Sequence, residues 1–97
     1  MHILNLKQLE NAAKKLGIHD KECRKNSIFL EIHRGVSGKR LAKPQEVLVP
    51  IPELLEMDEQ TLATQFDIDF RGINSVRDRC ARITALHEQY TRLCNVV

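Results

Sequence analysis

The sequence predicts a small α+β domain: an N-terminal helix, an antiparallel β-hairpin, a short helical segment and a long C-terminal helix packed on the sheet. Three observations predict it. Apolar residues recur at three-to-four-residue spacing near both ends of the chain, which is the period of an amphipathic helix. Between them, Ser27 to Arg34 alternates apolar and polar, the period of a half-buried strand. Proline and glycine mark the joints between these stretches.

The first helix follows from Leu6, Leu9, Ala13 and Leu16, which form one apolar stripe. Asn5 before it and Gln8 three residues later match a capping box. Lys14 and Lys15 suit the negative end of the helix dipole, and Gly17 suits a left-handed terminator. The polar stretch 18–26 fits a short helical turn. In the strand that follows, Ile28, Leu30 and Ile32 share a face. Gly35, Val36, Ser37, Gly38 and Lys39 supply a turn, and a second strand runs from Arg40 to Val49. Pro44 has no N–H to donate, so the ladder is expected to bulge or to lie at an edge there.

Pro50 and Pro52 end the sheet, and Pro52 suits the first position of a helix. Residues 53–66 read as one or two helical pieces, with Asp58 as the cap of the second. Ile68 to Phe70 alternates and suggests a third short strand, ended by Gly72. Ser75 and Asp78 then read as the capping box of the last helix. Along that helix Ile73, Val76, Cys80, Ile83, His87, Tyr90 and Cys94 form a stripe, widened by Leu86 and Leu93. The stripe suits a face that covers the sheet and supplies the core. It is also compatible with a homodimer through the C-terminal helix.

At 97 residues the chain is expected to be a single domain spanning 1–97. Apolar residues make up 42% and charged residues 29%, a composition that folds. With only Phe29, Phe66, Phe70 and Tyr90 as aromatics, the core must be mainly Leu, Ile and Val. The longest apolar stretch, around Val47 to Pro52, falls far short of the ~20 residues that span a bilayer. No secretory leader is legible at the N-terminus. Cys23, Cys80 and Cys94 are odd in number and form no Cys-x-x-Cys pair. These features point to a reducing, cytoplasmic setting without membrane contact.

Charge is sorted along the chain. The net +2 divides into +5 over residues 1–49, −6 over 50–70 and +3 over 71–97. The acidic block holds Glu53, Glu56, Asp58, Glu59, Asp67 and Asp69 and contains no Lys or Arg. Such blocks either pair within the fold or present opposite potentials to partners. Around the hairpin turn lie Arg34, Lys39, Arg40 and Lys43, a group that can follow a phosphate backbone. Lys14, Lys15, Arg24 and Lys25 are further cations of the same half. No aromatic residues are interleaved with the hairpin cations, which argues against a base-stacking single-strand surface. The segment Ala12-Ala13-Lys14-Lys15-Leu16-Gly17-Ile18, followed by a short polar segment and a hairpin, resembles part of a winged helix-turn-helix. Against that, His19 to Asn26 is too short for a recognition helix and carries Asp20 and Glu22.

Catalytic chemistry is not legible. No nucleophile motif or phosphate loop is present, and Gly35 to Lys39 lacks the spacing of a Walker loop. His19 and Cys23 are two ligands at most. Cys80, His87 and Cys94 step ~10.5 Å apart on a helix and cannot converge on one ion. The expectation is therefore a non-enzymatic regulatory or inhibitory accessory protein without cofactor or metal. It would bind a protein partner through Glu53, Glu56, Asp58, Glu59, Asp67 and Asp69. The alternative is nucleic-acid binding, possible DNA-binding through Arg34, Lys39, Arg40 and Lys43.

Overall fold

The computed structural model describes residues 5–34, 38–68 and 70–95 and has the α+β architecture. Helices α1 (Leu6–Lys15) and α2 (Asp20–Lys25) precede strands β1 (Ser27–Arg34) and β2 (Arg40–Pro50). Helices α3 (Ile51–Glu56), α4 (Glu59–Phe66) and α5 (Phe70–Asn95) follow. The two strands form one antiparallel sheet.

Local chemistry explains most boundaries. Asn5 accepts from Gln8 N at 2.8 Å, and the Gln8 side chain accepts from Asn5 N at 3.0 Å, so the capping box of α1 is complete. Gly17, at φ 68°, supplies the left-handed residue that reverses the chain after α1. Helix α2 ends on Asn26 in the same left-handed region, and the Asn26 carbonyl accepts from Ile51 N at 3.0 Å. That bond ties the end of α2 to the start of α3. Asp58 caps α4 by accepting from Thr61 N at 2.7 Å.

The strand register pairs Ser27 with Pro50 through Ile32 with Gln45, then jumps to Arg34 opposite Arg40. The irregularity falls on the stretch of β2 that contains Pro44, where the missing N–H interrupts the ladder. The turn residues Gly35, Val36 and Ser37 lie outside the described residues.

Two expectations about the α4–α5 junction are corrected. Ile68 to Phe70 is not a strand: Ile68 is irregular, Asp69 lies outside the described residues, and Phe70 begins α5. Nor does Ser75 cap the last helix, because α5 starts five residues earlier and runs through Gly72. The chain reversal is made instead at Asp67, which closes α4 at φ 57°. A glycine in the first turn interrupts little of the helix, so Gly72 does not break it.

One connected core draws on every element. It includes Leu9 and Ala13 of α1, Cys23 of α2, Ile28 of β1, Val49 of β2, Ile51 and Leu54 of α3, Leu62 and Phe66 of α4, and Ile73, Cys80, Ile83 and Leu86 of α5. Leu30 and Ile32 pack against it from the inner face of β1. Ile73, Cys80, Ile83 and Leu86 of the α5 stripe lie in the chain's own core, with Val76, Tyr90 and Leu93 against it, and the helix packs on α1, α2 and β1. The molecule is elongated, 48 × 23 × 22 Å, with a radius of gyration of 15.2 Å. A sphere-like chain of this length has about 12.5 Å.

Ile83 is 0% exposed at the centre of α5. Ile83→Ala should lower the unfolding free energy by about 2–5 kcal/mol. Urea denaturation should show the midpoint falling with the slope retained. Leu55, at 64% exposed, is the control: Leu55→Ala should change stability by less than about 0.5 kcal/mol.

Candidate functional site

Two charged surfaces and one buried polar centre stand out. The first surface is built by α3 and α4. Helix α3 turns Ile51 and Leu54 inward, which leaves Glu53, Leu55 and Glu56 facing out. Helix α4 buries Leu62 and Phe66 and exposes Glu59. Asp58 and Asp67 sit at the two ends of α4 as its N-cap and its left-handed C-cap. Hydrogen bonds from the Thr61 side chain and backbone hold the Asp58 carboxyl below its usual range. Among the described residues, no Lys, Arg or His lies within ion-pair distance of Glu53, Glu56, Asp58, Glu59 or Asp67. Asp69 lies outside the described residues. Beside these carboxylates an apolar hollow of about 30 Å³ opens between α3, α4 and α5, with Leu55, Met57, Ile68 and Val76 in its lining.

The second surface is the distal hairpin. Ala42, Lys43, Pro44, Gln45 and Glu46 are all exposed. Successive strand residues point to opposite faces, so five in a row means that neither face of this part of β2 is covered. Arg34, Lys39, Arg40 and Lys43 are exposed here, and none makes an ion pair among the described residues. Arg34 and Arg40 stand directly opposite each other. Like charges in that position repel. Arg34 Nη1 reaches the Gly38 carbonyl only weakly, at 3.5 Å.

The two surfaces cannot neutralise each other within one chain. They flank opposite ends of β2, and ten strand steps cover roughly 33 Å. The Debye length at physiological salt is about 8 Å. Of the other cations, Arg24 is already engaged. Its Nε meets Asp20 Oδ2 at 2.7 Å, and its guanidinium lies 5.1 Å from the Tyr90 ring centre.

The polar centre is Glu22, which is 1% exposed. Its Oε1 accepts from His19 N at 2.9 Å and from Arg79 Nη2 at 2.9 Å, and its Oε2 accepts from Phe29 N at 3.1 Å. The same Arg79 nitrogen donates to the Gly17 carbonyl at 2.7 Å. His19 caps α2, with Nδ1 accepting from Lys21 N at 3.1 Å, and its ring meets Phe29 edge-on at 5.4 Å. His87 Nδ1 lies 2.9 Å from the Cys23 carbonyl. A carbonyl only accepts, so Nδ1 carries the proton.

Sequence reading named neither Glu22 nor Arg79 as important. The available signal was the spacing His19-x-x-Glu22, a capping-box pattern next to the buried Ile18 and Cys23. Arg79 gave no comparable signal, since its partner is 57 residues away.

No group of three or more potential metal ligands occurs among the described residues. Cys80 is buried, His87 is held by Cys23, and Cys94 is exposed, so the three do not converge. Another hollow, an open dip of about 240 Å³ beside Leu16 and Arg79, is below the ~300–1,000 Å³ of small-molecule sites. None of the described helices is long and apolar enough to cross a membrane. No family model matches the chain, and no match was found to a curated protein or to a solved structure.

Arg79→Ala should cost on the order of 3 kcal/mol, because it leaves a buried carboxylate short of its charged partner. Replacing Glu22 and Arg79 together by Leu and Met should not restore stability, since the Phe29 and His19 N–H groups then lose their acceptor. Chemical denaturation of the single and double variants measures both.

Burial pushes the Cys23 and Cys80 thiols up, and the Asp20 carboxylate adds to the shift at Cys23. A raised thiol stabilises the fold below the unfolded value of about 8.5, and that stability is lost as pH rises above it. Thermal melts should therefore fall with pH above about 8.5. In the folded protein a disulfide-exchange reagent should label Cys94 alone.

Proposed function

We propose that this chain is a small non-enzymatic regulatory or inhibitory protein that acts by binding another protein through its α3–α4 surface. The observation that carries the reading is Leu55, 64% exposed on a helix whose outward neighbours are Glu53 and Glu56. An exposed apolar anchor within a set of carboxylates that have no ion pair among the described residues matches the anatomy of an interface, an apolar centre with a polar rim. Charge complementarity then asks for a basic partner segment with an apolar side chain of its own. Glu53, Glu56 and Glu59 would steer that segment. Asp58 and Asp67 would add to the field while capping α4, and Asp69 continues the same acidic run. The small volumes of the hollows favour surface binding over chemistry on an enclosed substrate. The three free cysteines support a cytoplasmic setting for this activity.

The test is quantitative affinity capture from a lysate of the source cell, comparing the native chain with Leu55→Asp and with Glu53→Lys/Glu56→Lys. All three positions are exposed, so circular dichroism and melting should be unchanged. The expected result is a protein held by the native chain and reduced more than tenfold by either variant. An identical capture profile for all three would exclude this surface as the contact.

A further inference from the structure

We infer that the distal hairpin is a second, independent docking surface, a β-ribbon that enters the major groove of double-stranded DNA and contacts its phosphates. Four observations combine. Every residue of β2 from Ala42 to Glu46 is exposed, so this strand of the ribbon is accessible. Its cations lie on both strands, Arg34 on β1 and Arg40 and Lys43 on β2, with Lys39 just before β2. Arg34 and Arg40 face each other across the ladder without a neutralising carboxylate among the described residues. Finally, the acidic α3–α4 surface stands several Debye lengths away and does not cancel this charge.

The chemistry of the ligand follows from the geometry. A B-form major groove is about 12 Å wide, admits a two-stranded ribbon and is lined on both sides by phosphates. Cations on both strands reach both walls. A phosphate placed between Arg34 and Arg40 turns a repulsive cross-strand pair into an attractive site. The depth of entry is limited by Glu31 and Glu46, which also stand opposite each other nearer the body, with His33 Nε2 3.6 Å from Glu31. Contact is therefore confined to Arg34, Lys39, Arg40 and Lys43 and is made to phosphates more than to base edges, which predicts little sequence preference.

Four phosphate contacts set the salt dependence. The logarithm of the affinity should fall with the logarithm of salt with a slope of about −3.6, on the order of a hundredfold between about 50 and about 200 mM salt. Fluorescence anisotropy with a short labelled duplex of arbitrary sequence measures this. Lys39→Glu/Arg40→Glu should weaken binding more than tenfold at the lower salt and reduce the slope to about −2 or less. Arg34→Gln/Lys43→Gln, at different tip positions, should change both quantities in the same direction. Leu55→Asp should leave them unaltered, which separates this surface from the protein-binding one. The inference is overturned by any of three results: no duplex binding at about 50 mM salt, a folded tip variant that binds like the native chain, or single-stranded DNA or duplex RNA bound as tightly as duplex DNA.

Discussion

The Glu22 carboxylate is the point on which the architecture turns. A carboxylate with 1% exposure is tolerated only where its charge and lone pairs are answered. Here the donors come from three places: the start of α2, the edge of β1 that β2 does not pair, and the middle of α5. One side chain thereby fixes the angle between a short helix, a strand and the long helix. Arg79 extends the arrangement to Gly17, the residue that ends the reversal out of α1. A six-residue helix such as α2 has no stability of its own in water. Its place in the fold rests on this carboxylate, on the Cys23 side chain in the core and on the His87 bond to the Cys23 carbonyl.

That anchoring explains how a small core supports two exposed functional surfaces. Helices α1, α2 and α5 lock together at one side of the sheet, while α4 lies against β1. The acidic surface then rests on buried Ile51, Leu54, Leu62 and Phe66, and its charged residues are free of structural ion pairs among the described residues. The hairpin is held only at its base, by Ile28 and Val49 in the core and by Leu30, Ile32 and Val47 against it. Beyond that point the described residues of the hairpin hold together through the ladder and the contacts of Arg34 with Gly38 and of His33 with Glu31.

What was legible in the sequence depended on range. Elements specified by neighbours were readable: the Asn5 and Gln8 box, the alternation of Ile28, Leu30 and Ile32, the cap at Asp58 and the disturbance at Pro44. The junction at Asp67 to Gly72 misled, because a glycine and an alternating triplet are weaker evidence than a left-handed aspartate that only the structure displays. The charged surfaces were visible as blocks of composition, and their separation follows from the length of β2. Glu22 reads in the sequence only as one more charge of the polar stretch 18–26, since burial of a carboxylate depends on an arginine supplied from a distant helix.

The spacing of the polar bonds also bears on synthesis. Side-chain bonds from Arg79, Thr84, His87 and Tyr90 all return to residues 17–26, across separations of 57 to 66 residues. At ~5–20 residues per second the ribosome needs roughly 3–13 s to add that length. Until α5 emerges, the nascent chain holds a carboxylate destined for the interior with no guanidinium to meet it, and Ile28 without its cover. The N-terminal half is therefore a waiting state, and completion of the fold is timed by the arrival of the last helix.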